Sequence, residues 1–363
     1  MRSAAPDPDL RPSLQDVARE AQVSLATVDR VLNKRPGVRA PTVERVQAAV
    51  RRLGYRPDPA AARLARARLH RVCFVLPSGS NSFVASLRSQ LVDNRSWMAD
   101  HRLVAEAIEV DVFEPRRLAA ALLALKGRCD GVVVMALDHP LVRAAIDELV
   151  GTEMAVITLV SDVPGSARQH FVGIDNVAAG RTAATLLGRF LGHRPAAESS
   201  RRGGTARRAA EVGVVVGSLS LRDHAERTFG FNQVMASEFP GLVVLPSVEG
   251  KDNPRRNETL ASELLAAHPS LAAIYSVGAD NAGIAKALKT AGRAREVVFV
   301  GHELTADSRA DLLDGTMDAV ISQDAGHEIR SALRLALAQL TREPVHADQE
   351  RIRLDIYLKD NLP

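Results

Sequence analysis

The residues with the most chemical promise fall in one short stretch, Leu25 to Leu32. Val28, Val31 and Leu32 recur at helical spacing on one face, which leaves Leu25, Ala26, Asp29 and Arg30 on the other. Ser24 stands just before the first turn, where its hydroxyl can accept the orphan amide hydrogens of a helix start. A helix that buries one face on a preceding helix and turns a guanidinium outward is suited to the major groove of duplex DNA.

Other elements must hold that helix in place. Leu14, Val17, Ala18 and Ala21 predict a first helix, broken at Gln22-Val23-Ser24. A third helix begins near Pro41-Thr42, keeps Val43, Val46, Ala49, Val50 and Leu53 on one face, and ends at Gly54 as its C-cap. The three close a small all-α helix-turn-helix head over residues 12–57, preceded by an N-terminal arm, 1–11. An alanine- and arginine-rich segment over 58–69 follows, opened by Tyr55-Arg56-Pro57-Asp58-Pro59.

Charge is distributed to match. The first 70 residues hold fourteen Lys and Arg against seven Asp and Glu, a balance of +7, and the rest of the chain holds 33 against 36, a balance of −3. A local basic excess is what contacts to phosphates require, because neutralised phosphates release counterions.

At 363 residues and 46% apolar content, the chain can bury a large core in two or three units. Aromatics are only 4%, which argues against a single-strand binder that stacks bases on rings. Cys73 and Cys129 sit in or beside apolar runs without metal-ligand spacing, so both read as buried, reduced thiols. The N-terminus lacks an apolar signal region and no apolar run reaches membrane-spanning length, so the expectation is a cytoplasmic protein with no membrane association.

From Arg71 onward short apolar runs alternate with helical patterns, the mark of βαβ units and parallel sheets. Strands are expected at Val72–Leu76, Leu103–Ile108, Gly131–Ala136, Ala155–Leu159 and Phe171–Ile174. A second series follows at Val212–Val216, Leu242–Leu245, Ala272–Tyr275, Val297–Val300 and Ala319–Ile321. Helical patterns include 116–125, 178–191, 257–267 and 282–291, and the arginine-rich stretch 193–208 reads as a loop. Two α/β halves joined near Asp175 imply a bilobed α/β core over 70–363, with a ligand cleft at the carboxyl ends of the strands. The expected first lobe takes 71–174 and 303–322, and the second 175–302 and 323–350.

Three segments carry a resemblance to a known family: Leu14-Gln15-Asp16-Val17-Ala18, Val23 through Asn33, and Leu53-Gly54-Tyr55-Arg56-Pro57. The chain resembles the lactose-repressor (LacI/GalR) family of bacterial transcription regulators over nearly its whole length. The resemblance implies that Leu25, Ala26 and Arg30 read base edges, while Ser24, Thr27 and Asn33 hold the phosphate backbone. A guanidinium can bond both acceptors of guanine, and Leu25 and Ala26 can offer apolar contact to a thymine methyl. Asp29 departs from the small hydroxyl residue common in the family. Pro59 to Ala67 looks like the family's hinge helix, with Leu64 where the family wedges a leucine into the minor groove.

The same resemblance implies a periplasmic-binding-protein-like core with two parallel-sheet lobes. Gly173-Ile174-Asp175-Asn176 matches the crossover between lobes, Arg227 an arginine that bonds sugar hydroxyls, and Glu303 and Gln323 ligand-facing positions. At Tyr275 to Asn281 the family usually places an aspartate near Gly278 or Ala279, a role that would fall here to Asp280 or Asn281. Ser78, Asn81 and Phe83 after the first strand, Asp138, and Asp175 itself complete the implied ligand-binding set. The partners so implied are double-stranded operator DNA, a sugar or polyol effector and a second copy of the chain, with no cofactor and no metal. Thr341 to Pro363 shows no leucine heptad, so a dimer without a tetramer-forming coil is expected.

Rival classes lack their signatures. His302-Glu303 suggests a zinc helix, but position 306 is Ala306 where a second histidine is needed. Neither GxGxxG after a strand nor GxxxxGK[ST] appears, which speaks against a nucleotide enzyme. A periplasmic-type sugar receptor would share the bilobed core, with a signal peptide in place of the helix-turn-helix.

Overall fold

The computed structural model describes residues 12–32, 36–55, 68–79, 81–193 and 209–363. The chain divides into two compact units, Met1–Arg68 and Leu69–Pro363. The N-terminal arm, Asn33, the segment holding Leu64 and nearly all of the arginine-rich 193–208 stretch lie outside the described residues.

In the head, α1 (Leu14–Glu20), α2 (Leu25–Leu32) and α3 (Ala40–Leu53) enclose Val17, Ala18, Ala21, Val28, Val46, Ala49 and Tyr55. A capping box starts α1, the Ser13 hydroxyl accepting from Asp16 N–H while the Asp16 carboxylate accepts from Ser13 N–H. Gly54 ends α3 in the left-handed conformation at φ 62°. Tyr55, just past the end of α3, plugs the core of the head.

The second unit carries two sheets. The first has the order β2-β1-β3-β4-β5, from β1 (His70–Pro77), β2 (Leu103–Val110), β3 (Gly131–Val134), β4 (Ala155–Leu159) and β5 (His170–Val172), all parallel. The central strands are buried on both faces, which is why they read as unbroken apolar runs. The second sheet runs β12-β11-β10-β9-β6-β7. It comprises β6 (Ala210–Val216), β7 (Leu242–Val244), β9 (Leu271–Ser276), β10 (Val298–His302), β11 (Ala319–Gln323) and β12 (Leu354–Tyr357). The short β8 (Val248–Glu249) also pairs with β6, and among the described strands only β12 is antiparallel.

Helices cover both sheets: α4 (Ser82–Asp93), α5 (Arg95–Asp100), α6 (Pro115–Leu123) and α7 (Pro140–Gly151) in the first lobe. The second has α8 (Asn176–His193), α9 (Arg222–Glu238), α10 (Pro254–Ala267), α11 (Ala282–Thr290) and α12 (Ala306–Asp314). The final helix, α13 (Ala325–Thr341), packs on α4 and on β3, β4 and β5.

This corrects the expected lobe boundaries. Residues 303–322 belong to the second lobe, because β10, α12 and β11 form one parallel βαβ unit whose crossover stays on its own sheet. The chain returns to the first lobe only after β11, as α13, so the helical part of 323–350 belongs to the first lobe rather than the second. Cys73 and Cys129 are buried free thiols as expected, but they also lie against each other, which raises the Cys73 thiol and lowers that of Cys129. No helix among the described residues is long and apolar enough to cross a membrane.

Candidate functional sites in the head and the cleft

Burial of Val28 fixes the rotation of α2, and the opposite face is open: Ser24, Leu25, Ala26 and Arg30 are exposed, with Leu25 at 47%. The Ser24 hydroxyl accepts from Thr27 N–H at 3.2 Å and pairs with the Thr27 hydroxyl at 2.8 Å, so one cap orients two polar groups at the helix start. An N-terminal helix end also favours an anion such as a phosphate.

The second unit gathers its polar groups at the carboxyl ends of β6, β9, β10 and β11. Arg227 on α9 is the centre, 2% exposed. Its Nε donates to Asn176 Oδ1 at 2.8 Å and its Nη1 to the Val277 carbonyl at 3.0 Å. Nη2 has no hydrogen-bond partner among the described residues and faces Glu303 Oε1 at 3.9 Å. Two glycines make this placement possible. A Cβ at Gly180 of α8 would overlap the Arg227 backbone, and one at Gly230 of α9 would overlap the Val177 carbonyl. The helices therefore cross in near backbone contact, and Arg227 reaches the strand ends.

Around Arg227 the structure brings together Asp280, Asn281, Glu303 and Gln323, all implied by the sequence, with Asn176, Asp223, His224, Asp252, His302 and Glu328, which sequence reasoning missed. Glu303 adopts a left-handed backbone at φ 69°, a strained conformation of the sort found at ligand sites, and its carboxylate accepts from Gln323 Nε2 at 2.8 Å. Asn281 donates to the His302 carbonyl at 2.6 Å, and His302 Nε2 pairs with the Tyr275 hydroxyl at 2.8 Å. The His224 Nδ1 accepts from Ser218 N–H, so its proton sits on Nε2, 3.6 Å from Asp223.

Burial dominates the electrostatics. It pushes the Glu303 carboxyl up to about 7 against the pull of Arg227, and Asp280 to about 7, helped by Asp252. It also raises Glu328 well above the carboxylate range, with Glu303 adding to the effect, and holds His302 neutral. Asp223 Oδ1, Asp280 Oδ2, Asn281 Oδ1, His302 Nδ1, Gln323 Oε1 and both Glu328 oxygens are buried with no protein partner among the described residues. Buried polar groups are normally satisfied, and such a concentration of open donors and acceptors at strand ends suits a small molecule with many hydroxyls.

Several implied ligand residues do other work. Asp138 Oδ1 accepts from Arg143 of the same lobe at 2.8 Å and its Oδ2 from Arg222 of the second lobe at 3.3 Å, so one oxygen takes part in an ion pair between lobes. Beside it Leu221 is buried in the first lobe's core with Leu137 and Val163. Asp175 accepts from Ala178 N–H as the cap of α8 and lines a groove with Phe171, Glu350 and Arg353. Asn81 caps α4, its Oδ1 accepting from the Phe83 and Val84 amides at 3.0 and 3.1 Å, and Phe83 is buried in the core. Ser78 is exposed at the end of β1.

Two family models match the chain, one over each unit. Residues 72–344 match the model of the periplasmic binding protein domain, and residues 13–58 that of the bacterial regulatory proteins of the lacI family. The HTH-type transcriptional regulator pepR1 of Lactobacillus delbrueckii subsp. lactis is 31% identical over 175 residues, 48% of this chain and 51% of that protein. Catabolite control protein A of Priestia megaterium is 43% identical over 81 residues, 22% of this chain and 24% of its own length. The chain thus spans about half, or less, of these curated relatives. A solute binding protein from Burkholderia graminis, solved in complex with D-arabinose, superposes with a TM-score of 0.71 at 19% identity, covering 81% of this chain and 97% of that one, a likeness of fold. A lacI-family helix-turn-helix domain at residues 13–58 thus stands ahead of a core, residues 72–344, that belongs to the periplasmic binding protein domain family.

Proposed function

We propose that the protein is a DNA-binding transcription regulator, a repressor, that acts in the cytoplasm as a homodimer and responds to a sugar or polyol held between its lobes. The observation that carries this reading is one chain with an exposed α2 face bearing Leu25, Ala26 and Arg30 and a separate group of unpartnered polar atoms around Arg227. Two heads on adjacent half-sites supply the specificity one small head lacks. The effector alters operator affinity by as much as its own affinity differs between the two lobe arrangements.

Incubating the purified protein with sheared genomic DNA at graded salt tests it. Retention of a few fragments, falling steeply with salt and altered by added sugars, is the expected result. Retention without sequence preference, or unaffected by any sugar, refutes the reading.

The bridge between lobes gives a second expectation. Asp138 and Arg222 are 24% and 38% exposed, so solvent screening leaves their pairing worth less than about 1 kcal/mol. Asp138→Ala should weaken sugar binding less than about fivefold by easing lobe opening. A loss of tenfold or more in a calorimetric titration would mean that Asp138 touches the sugar.

A further inference from the structure

The least expected group in the cleft wall is Asp252. It comes from the loop after β8, where Lys251 and Asp252 both take left-handed backbone conformations, at φ 53° and 46°. That turn carries the carboxylate over the ends of β6 and β9. A Cβ at Gly278 would overlap Asp252 Oδ1, and a Cβ at Gly217 would crowd both Asp252 and His224. The two glycines that follow these strands thus leave the space that the carboxylate fills.

Nothing in the fold explains its presence there. No described residue donates a hydrogen bond to Asp252, although desolvation raises its pKa and Asp223 raises it further, while His224 and Arg227 draw it down. Asp252 is only partly buried, so solvent or a bound molecule can reach its carboxylate, while two left-handed residues in a row are a cost to the protein alone. The neighbouring groups are also open: Asp280 Oδ2 and Asp223 Oδ1 are buried without partners, and so is Arg227 Nη2.

We propose that Asp252 is a specificity-determining residue of the cleft, accepting from a hydroxyl or ammonium of a polyhydroxylated effector and excluding effectors that carry a phosphate or carboxylate. This rests on the sugar or polyol reading above and narrows it. The carboxyl groups of Asp223, Asp252, Glu303 and Glu328 gather around Arg227, with Asp280 beside Asp252. An anionic ligand would meet one cation among several carboxyl groups whose charged forms burial already disfavours, whereas a neutral polyol, with donors and acceptors on each hydroxyl, pairs with either form. An amino sugar would supply a charge-assisted one.

The test uses the full chain and a panel of D-glucose, D-galactose, D-arabinose and D-ribose, with D-glucosamine, D-galactosamine and the glucose and galactose 6-phosphates. Melting temperature reads binding. A neutral or amino sugar should raise it and the 6-phosphates should not; which of the first two wins distinguishes hydroxyl from ammonium. Asp252→Asn and Asp252→Ala should bind that sugar about ten- to a hundredfold more weakly. Without sugar, Asp252→Asn should melt above wild type, since it removes a charge that burial disfavours more than His224 and Arg227 favour it.

Gly278→Ala should lower sugar affinity as Asp252→Ala does, and the double variant should be no worse than Asp252→Ala alone. A 6-phosphate as the best stabiliser, or full affinity in Asp252→Asn, overturns the proposal. So does lower melting of both Asp252 variants without sugar, which would make the residue structural. If no sugar moves the wild type while Asp252→Asn melts higher, the polyol reading falls and the unpaired carboxylate stands.

Discussion

Arg227→Lys should fold and bind operator fragments in the absence of sugar, yet lose most of the sugar-induced rise in melting temperature. The guanidinium is spent in three directions: Nε to Asn176, Nη1 to the Val277 carbonyl, and Nη2 toward Glu303 with its donor capacity open. A lysine keeps the charge that opposes the buried carboxylates, but it is a point charge without the planar fork that holds the protein and a ligand at once. Hydrogen bonds to a charged group contribute about 1.5 to 3 kcal/mol each, so losing one or two weakens sugar binding from about tenfold to more than a hundredfold. Arg227→Ala should be more severe, because it also strands the Asn176 and Val277 oxygens at about 1 to 3 kcal/mol apiece and lowers the melting temperature by itself. Operator binding is the internal control: the head is a separate compact unit with its own apolar core. Wild-type sugar affinity in Arg227→Lys, measured by calorimetry, would remove the side chain from the binding surface.

The strands of the core were legible because parallel strands buried on both faces must be apolar throughout, and Gly131–Val134 and Ala155–Leu159 are such runs. Which sheet a strand joins is a non-local property that its own residues do not encode. The lobe assignment of 303–350 failed for that reason, until the pairing of β10 with β11 fixed it. The site divides in the same way. Arg227, Glu303 and Gln323 could be placed from the resemblance of their local motifs. A carboxylate after a strand, by contrast, has several fates, and Asp138 became an ion-pair bridge while Asp175 became a helix cap. Glu328 is one glutamate among many on helices, and no periodicity marks it as buried beneath the cleft. Asp252 did leave a trace in Gly217 and Gly278, each just past the end of a strand, where the missing Cβ signals the close approach of another group. The trace says that something lies there without saying what.

Arg30→Ala should cost operator binding about 1 to 3 kcal/mol, with the loss concentrated at one base pair of each half-site. The side chain is exposed on the face of α2 opposite Val28, and the head's buried core does not include it, so the truncated head keeps its fold. What disappears is a guanidinium able to bond both acceptors on the major-groove edge of guanine. Measured against operators varied one base pair at a time, wild type should discriminate at that position and Arg30→Ala should not, while the discrimination elsewhere persists. The salt dependence separates the alternative. A phosphate contact would weaken binding equally for every sequence and reduce the slope of affinity against salt by about one ion, whereas a base contact leaves the slope nearly unchanged. A uniform loss with a shallower slope would move Arg30 from the base edges to the backbone, and Leu25 and Ala26 would then be the groups of α2 left facing the bases, where apolar contact to a thymine methyl is the chemistry they can supply.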